Sequence, residues 1–181
     1  MSALIPAWEE GVLKPIDKLE VHQRGLRHKA VSVFVTEGER VLIQRRAECK
    51  YHTPGLWANT CCTHPEWGES HLACASRRLG EELGIHGLVL RHAGEIEYRA
   101  DVGGGLIEHE LVQVFTARVL PGLAVAPNPD EVSAVDWVAL PALLERINET
   151  PERFTPWLRI YMARHRAMIF GDQTGETLLQ H

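Results

Sequence analysis

At 181 residues, 45% apolar and 24% charged, the chain has the length and composition of one globular domain with a sizeable core. Its formal charge of −5 argues against nucleic acid as a partner, and no run approaches the roughly 18 apolar residues of a membrane span. The four cysteines fit neither a zinc ribbon nor a secreted disulfide framework, and the first residues show no leader pattern, so the expectation is a cytoplasmic protein with reduced thiols and no membrane contact.

Residues 1–28 read as a short N-terminal arm, including a strand or hairpin, of a single domain spanning 1–181. HKAVSVFVTEGERVLIQRR reads as strand, turn, strand: Ala30–Val35 and Val41–Gln44 are rich in β-branched residues around Glu37-Gly38-Glu39. Lys50–Thr63, with Pro54-Gly55, reads as a loop enclosing a short buried strand near Leu56–Asn59. A helix starts at Glu69-Ser70 and runs to about Leu83, where Gly84 stops it; Leu72, Leu79 and Leu83 share one stripe. Leu88–Tyr98 gives one or two strands, Gly103-Gly104-Gly105 a hairpin tip, and Ile107–Arg118 the strand beyond it. After the Pro/Gly loop at Pro121–Asp130 come a strand over Glu131–Val138 and helices at Pro141–Ile147 and Trp157–Ile169. Residues 171–181 read as a frayed tail. Strands outnumber helices, and one helix lies between sheet segments, which points to an α/β (α+β) sandwich.

The chemistry concentrates between Asn59 and Ile85, where a Cys62-x-His64 pair, a Gly-Glu-Ser turn and an acidic, arginine-bearing helix follow one another. Thiol, imidazole and carboxylate this close suggest a metal-assisted active site. A thiol beside imidazole or metal is expected to have a depressed pKa, although most lone cysteines are inert. Further on, Glu108 and Glu110 lie two apart on a strand, so both leave the face that Val112 and Val114 continue. Carboxylates there are costly unless paired or metal-bound, and a solvated strand end is the alternative. Imidazoles from His22, His28 and His64 with these carboxylates would suit Zn²⁺, Mn²⁺ or Fe²⁺, though nothing in their spacing proves that they meet. Arg78 and Glu82 share a helix face at i,i+4. Arg45, Arg46 and Lys50 could bind a diphosphate or form a solvated basic loop. Tyr98 and Trp157 are core aromatics or, in a site, a face that stabilises a carbocation.

Taken in order, HKAVSVFV, RRAECK, PGLWANTCCTHP, the GES helix ending in EELG, YRA, EHELVQVF and FTPW resemble the type I isopentenyl-diphosphate Δ-isomerases, a branch of the Nudix superfamily, over about His22 to Trp157. The Nudix box is matched at Glu69, Arg77, Leu79, Glu81, Glu82, Gly84 and Ile85, but Thr63 stands where Gly is common and Arg78 replaces a Glu. The resemblance implies a Nudix-like sandwich of mixed β-sheet between α-helices. It implies interconversion of isopentenyl and dimethylallyl diphosphate by protonation and deprotonation through a tertiary carbocation. Cys62 and Glu110 would be the catalytic pair, Tyr98 would assist Glu110, and Trp157 would lie over the hydrocarbon. Arg46, Lys50 and Arg78 would contact the diphosphate, and Glu82 would bind Mg²⁺ with it. His22, His28, His64, Glu108 and Glu110 would hold a second divalent metal, Mn²⁺ or Zn²⁺, in a monomer or weak dimer. The alternatives are a Nudix pyrophosphohydrolase, which the lost Glu weakens, and an inert Nudix-like binding module, for which the pair Cys62 and Glu110 would have no use.

Overall fold

The computed structural model describes residues 3–171; beyond Gly171, the tail expected at 171–181 lies outside them. The N-terminal segment is built into the fold. Strands β1 (Leu4–Glu9) and β2 (Val12–Asp17) form a hairpin, and Ala7 of β1 pairs with His28. Asp17 then caps a helix that sequence periodicity did not reveal, α1 (Lys18–Arg24), accepting from the N–H groups of Leu19 and Glu20. Seven residues are too few for an apolar period to stand out, and tertiary packing carries the helix instead. Its Val21 closes a small core with Ile5, Ala7 and Ile16.

Strands β3 (Arg27–Glu37) and β4 (Arg40–Arg46) form the expected hairpin, turning at Gly38 with φ 59°. They pair only at Thr36↔Val41 and Glu37↔Arg40, then splay apart. Two short strands, β5 (Trp57–Ala58) and β6 (Cys61–Thr63), use the opened edges: β5 pairs with β4 and β6 with β3. The segment expected as loop up to Thr63 therefore carries a second strand, which is too short to show alternation in sequence.

Helix α2 (His71–Leu83) starts and stops as expected. The Ser70 hydroxyl accepts from Ala73 N–H, and Gly84 ends the helix at φ 65°. Its buried side is Cys74, Ala75, Leu79, Glu82 and Leu83. Leu72 has the right angular position but is 49% exposed. Strands β7 (Arg91–Asp101) and β8 (Ile107–Val119) follow as an antiparallel pair joined through the glycine tip, and β9 (Val132–Ala139) pairs with β4. Helix α3 (Leu140–Glu149) has Pro in its first turn. The long helix expected over Trp157–Ile169 is two, α4 (Pro156–Arg164) and α5 (Arg166–Phe170), broken at His165 with φ −127° and ψ 12°.

β3 runs parallel to β8 and antiparallel to β6, so the sheet is mixed. Strand alternation gives it two apolar faces. Ala30, Phe34, Ile43, Val112 and Val114 face Leu143, Leu158 and Tyr161 of α3 and α4. Val31, Val33, Val35, Leu42 and Phe115 face Ala75, Leu79 and Leu83 of α2. Full burial of a side chain such as Phe34 or Leu79 contributes about 1.5–3 kcal/mol. The expected α/β sandwich is thus the observed one. Among the described residues, no helix is long and apolar enough to cross a membrane.

Candidate active site

Strand register assembles the polar residues at one end of the α4-facing core. His28 and Ser32 lie on the same face of β3 as Ala30 and Phe34. Parallel pairing sets His28 beside Glu110, and the antiparallel β6 sets Cys62 beside Ser32. The β7–β8 ladder sets Tyr98 opposite Glu110 and Ala100 opposite Glu108. Helix α1 adds Lys18 and His22, α2 adds Arg78 and Glu82, and α4 adds Trp157.

The three histidines expected as ligands do meet. His22 Nδ1 lies 2.5 Å from the Lys18 carbonyl and His28 Nδ1 lies 2.7 Å from the Leu26 carbonyl. A carbonyl only accepts, so both rings donate through Nδ1 and turn an Nε2 lone pair toward the cluster. His28 Nε2 is 3.2 Å from His64 Nε2, which lies 2.9 Å from Glu110 Oε1. His22 Nε2 is buried without a hydrogen-bond partner among the described residues, and donor atoms of the three rings lie within 4.8 Å of one another. Burial, then His28, lowers the His22 pKa to about 4; burial also pushes His64 well below the usual imidazole range. Converging imidazoles, one with an orphaned lone pair, fit a divalent cation.

Glu108 and Glu110 are both buried, as their strand spacing implied. The Tyr98 hydroxyl is 2.7 Å from Glu108 Oε2 and 2.7 Å from Glu110 Oε2. One hydroxyl proton serves only one of these contacts, so the second requires a protonated carboxyl. Burial, then the Glu110 charge, raises Glu108 to about 8, which assigns that proton to Glu108. Burial pushes Glu110 up as well, but the adjacent His28 and His64 rings, 3.7 and 2.9 Å from Glu110 Oε1, outweigh it and hold Glu110 well below the usual carboxylate range.

Cys62 departs from expectation. Burial, then the Glu110 charge, pushes its thiol well above the usual range rather than below it. Its Sγ lies 2.7 Å from Ser32 Oγ and 3.4 Å from Asn59 Oδ1, and Ser32 Oγ is itself 2.9 Å from the Tyr161 hydroxyl.

The other end of the same pocket is cationic, and Cys62, His64, Glu82, Glu108, Glu110 and Trp157 line it together with Arg46, Lys50 and Arg78. Arg78 donates to Glu82 Oε1 at 2.6 Å and to Glu81 at 2.8 Å, while Gln44 Nε2 donates to Glu82 Oε2 at 2.8 Å. Lys50 pairs with Glu131, which also lies 3.3 Å from Arg78. The Arg46 guanidinium sits 5.4 Å from the Trp157 ring centroid. Arg45, grouped with Arg46 in the sequence, turns away to the Gly55 carbonyl and Glu48.

Residue pattern alone missed Lys18, Ser32, His52 and Glu131. Burial, then Lys50, Arg78 and Arg46, lowers Lys18 to about 8, so it is the fourth cation of this cluster. His52 stands two residues after Lys50, and that proximity was its only sequence signal.

Residues 26–158 match the family model described as NUDIX domain. The chain is 63% identical over 172 residues to an isopentenyl-diphosphate Δ-isomerase of Rhodobacter capsulatus, covering 95% of this chain and 98% of that protein. It is 64% identical over 171 residues to the one of Cereibacter sphaeroides, covering 94% and 97%. Among solved structures it is similar to DR0079 of Deinococcus radiodurans, with TM-score 0.71 and 18% identity over 90% of this chain and 98% of that one. The dihydroneopterin triphosphate pyrophosphohydrolase of E. coli gives TM-score 0.57 and 18% identity over 76% and 93%. At these identities, the structural likenesses establish the fold alone.

Proposed function

The chain belongs to the isopentenyl-diphosphate Δ-isomerases of the Nudix family, and from that premise we propose how its residues divide the work of converting isopentenyl to dimethylallyl diphosphate for isoprenoid biosynthesis. The observation that carries the assignment is one pocket with Cys62 and the Glu110–Tyr98 pair at its buried end and four cations at the other.

Arg46, Lys50, Arg78 and Lys18 would hold the diphosphate, and Glu82 would hold an accompanying Mg²⁺. Placing the charged end there directs the five-carbon chain inward, where Trp157 excludes water and presents an indole face to the tertiary cation. The carboxyl side, Glu110 with Tyr98, delivers a proton to the terminal alkene carbon, and Cys62 removes one from the neighbouring carbon. Reversibility requires each group to donate in one direction and accept in the other. The resting site, with Cys62 as thiol and Glu110 ionised, is the state that a forward turnover leaves behind. For the next forward turnover Cys62 gives up its proton and Glu110 regains one, and the Tyr98 hydroxyl, 2.7 Å from Glu110 Oε2, is the group placed to pass it on. His22, His28, His64, Glu108 and Glu110 suit Mn²⁺ or Zn²⁺, and such an ion supplies the fixed positive charge that positions Glu110. Hydrolysis of the diphosphate is not favoured, because Arg78 stands where the Nudix box carries a further Glu, so α2 lacks one of the clustered carboxylates a hydrolase would use for metal.

Proton NMR of isopentenyl diphosphate with the protein and Mg²⁺ in D₂O tests this reading. The exomethylene signals should vanish as deuterated dimethylallyl diphosphate appears. Cys62→Ala and Glu110→Gln should each lower turnover at least about 10³-fold in folded protein. Near-native turnover in either variant would overturn the division of roles.

A further inference from the structure

His52 lies on the loop between β4 and β5 and is buried. Its ring stacks on His22 at 5.5 Å between centroids and meets the Trp157 ring edge-on at 6.0 Å. Its Nε2 is 3.5 Å from Glu108 Oε1, and donor atoms of His22, His52 and Glu108 lie within 4.8 Å of one another. His22 is therefore shared by two donor triads, one with His28 and His64 and one with His52 and Glu108. The Nε2 to Oε1 separation is long for a hydrogen bond. It is close to the roughly 3 Å that separates neighbouring donors when each sits about 2.1 Å from one ion.

The backbone here is under constraint. Thr53, a buried β-branched residue, has φ 46°, a conformation that persists only where the surroundings enforce it. Thr53 Oγ1 lies 3.1 Å from His52 Nδ1, and the His52 carbonyl accepts from Arg46 at 3.2 Å. The strained turn thus fixes the ring orientation, with Nε2 toward Glu108.

We propose that His52 is a sixth protein residue of the divalent-metal centre, supplying an imidazole donor on the Glu108 side. The inference rests on the reading that the His22, His28 and His64 cluster holds the ion.

The test uses chelator-stripped full-length protein titrated with Co²⁺, followed by its visible absorption and by competition with a chelator. His52→Ala should bind Co²⁺ 10- to 100-fold more weakly. Its absorption should shift to that of a lower coordination number, and added imidazole should restore the native spectrum. His52→Gln keeps size and hydrogen bonding and gives the same comparison if the alanine variant does not fold; it too should show the altered spectrum. Native affinity and spectrum in His52→Ala, or native behaviour in His52→Gln, would overturn ligation by His52 while leaving the cluster intact. Failure of the wild-type protein to take up Co²⁺ would overturn the metal reading as a whole.

Discussion

The Tyr98 hydroxyl has one proton and two carboxylate neighbours at 2.7 Å, so its removal disturbs both. In Tyr98→Phe, the ring still packs but the hydroxyl contact to Glu110 is lost. Turnover should fall about 10²-fold with KM for isopentenyl diphosphate nearly unchanged; a rise in KM alone would make Tyr98 a packing residue. Lys18 makes a separate prediction. Its pKa, lowered to about 8 by burial and then by Lys50, Arg78 and Arg46, leaves it charged below pH 8 and neutral above. Diphosphate affinity should therefore weaken as pH rises through 8. Lys18→Met should bind pyrophosphate more weakly at pH 7 and flatten that dependence in a calorimetric titration. The stability contribution has the opposite sign: between pH 8 and the usual lysine range the unfolded chain binds more protons, so the fold gains stability as pH rises.

At the scale of elements, α2 carries Arg78 and Glu82, and its C-terminal stop also anchors the loop before β9. Ala126 N–H donates to the Leu83 carbonyl at 2.8 Å and Asn128 N–H to the Glu82 carbonyl at 2.9 Å. That loop leads to Glu131, the partner of Lys50 and Arg78. Gly84 makes the closure possible: its φ is 65°, and a Cβ there would lie 2.9 Å from Ala126 Cβ. Gly84→Ala should cost about 1–2 kcal/mol from the backbone conformation and lower the thermal midpoint by roughly 2–8 °C. Because the same contacts position Glu131, KM for the diphosphate substrate should rise as well. A variant of native stability and KM would show that the loop accommodates the extra carbon.

For the whole molecule, the proposed ligands His22, His28, His64, Glu108 and Glu110 come from α1, β3, the residue after β6 and β8, so ion binding should stabilise the fold and not only the chemistry. Stripping divalent ions should lower the calorimetric midpoint, and an ion at about 100 times its Kd should restore roughly 2.7 kcal/mol; equal midpoints with and without Mn²⁺ or Zn²⁺ would count against a resident ion. Much of this architecture was legible beforehand. Ser70 and Gly84 bounded α2 because capping is chemistry within a few residues, and Glu108 and Glu110 had to share a face because strands alternate. The ordered motifs identified the family and the residues to expect. Tertiary structure alone decided that α1 forms, that Leu72 lies outside the core, and that Lys18, His52 and Glu131 join the site. It also reversed the expectation for Cys62, since proximity to His64 in sequence suggested a thiolate, while burial beside Glu110 favours the thiol. Periodicity and caps are written in neighbouring residues, whereas strand register and desolvation are settled only when distant segments pack against one another.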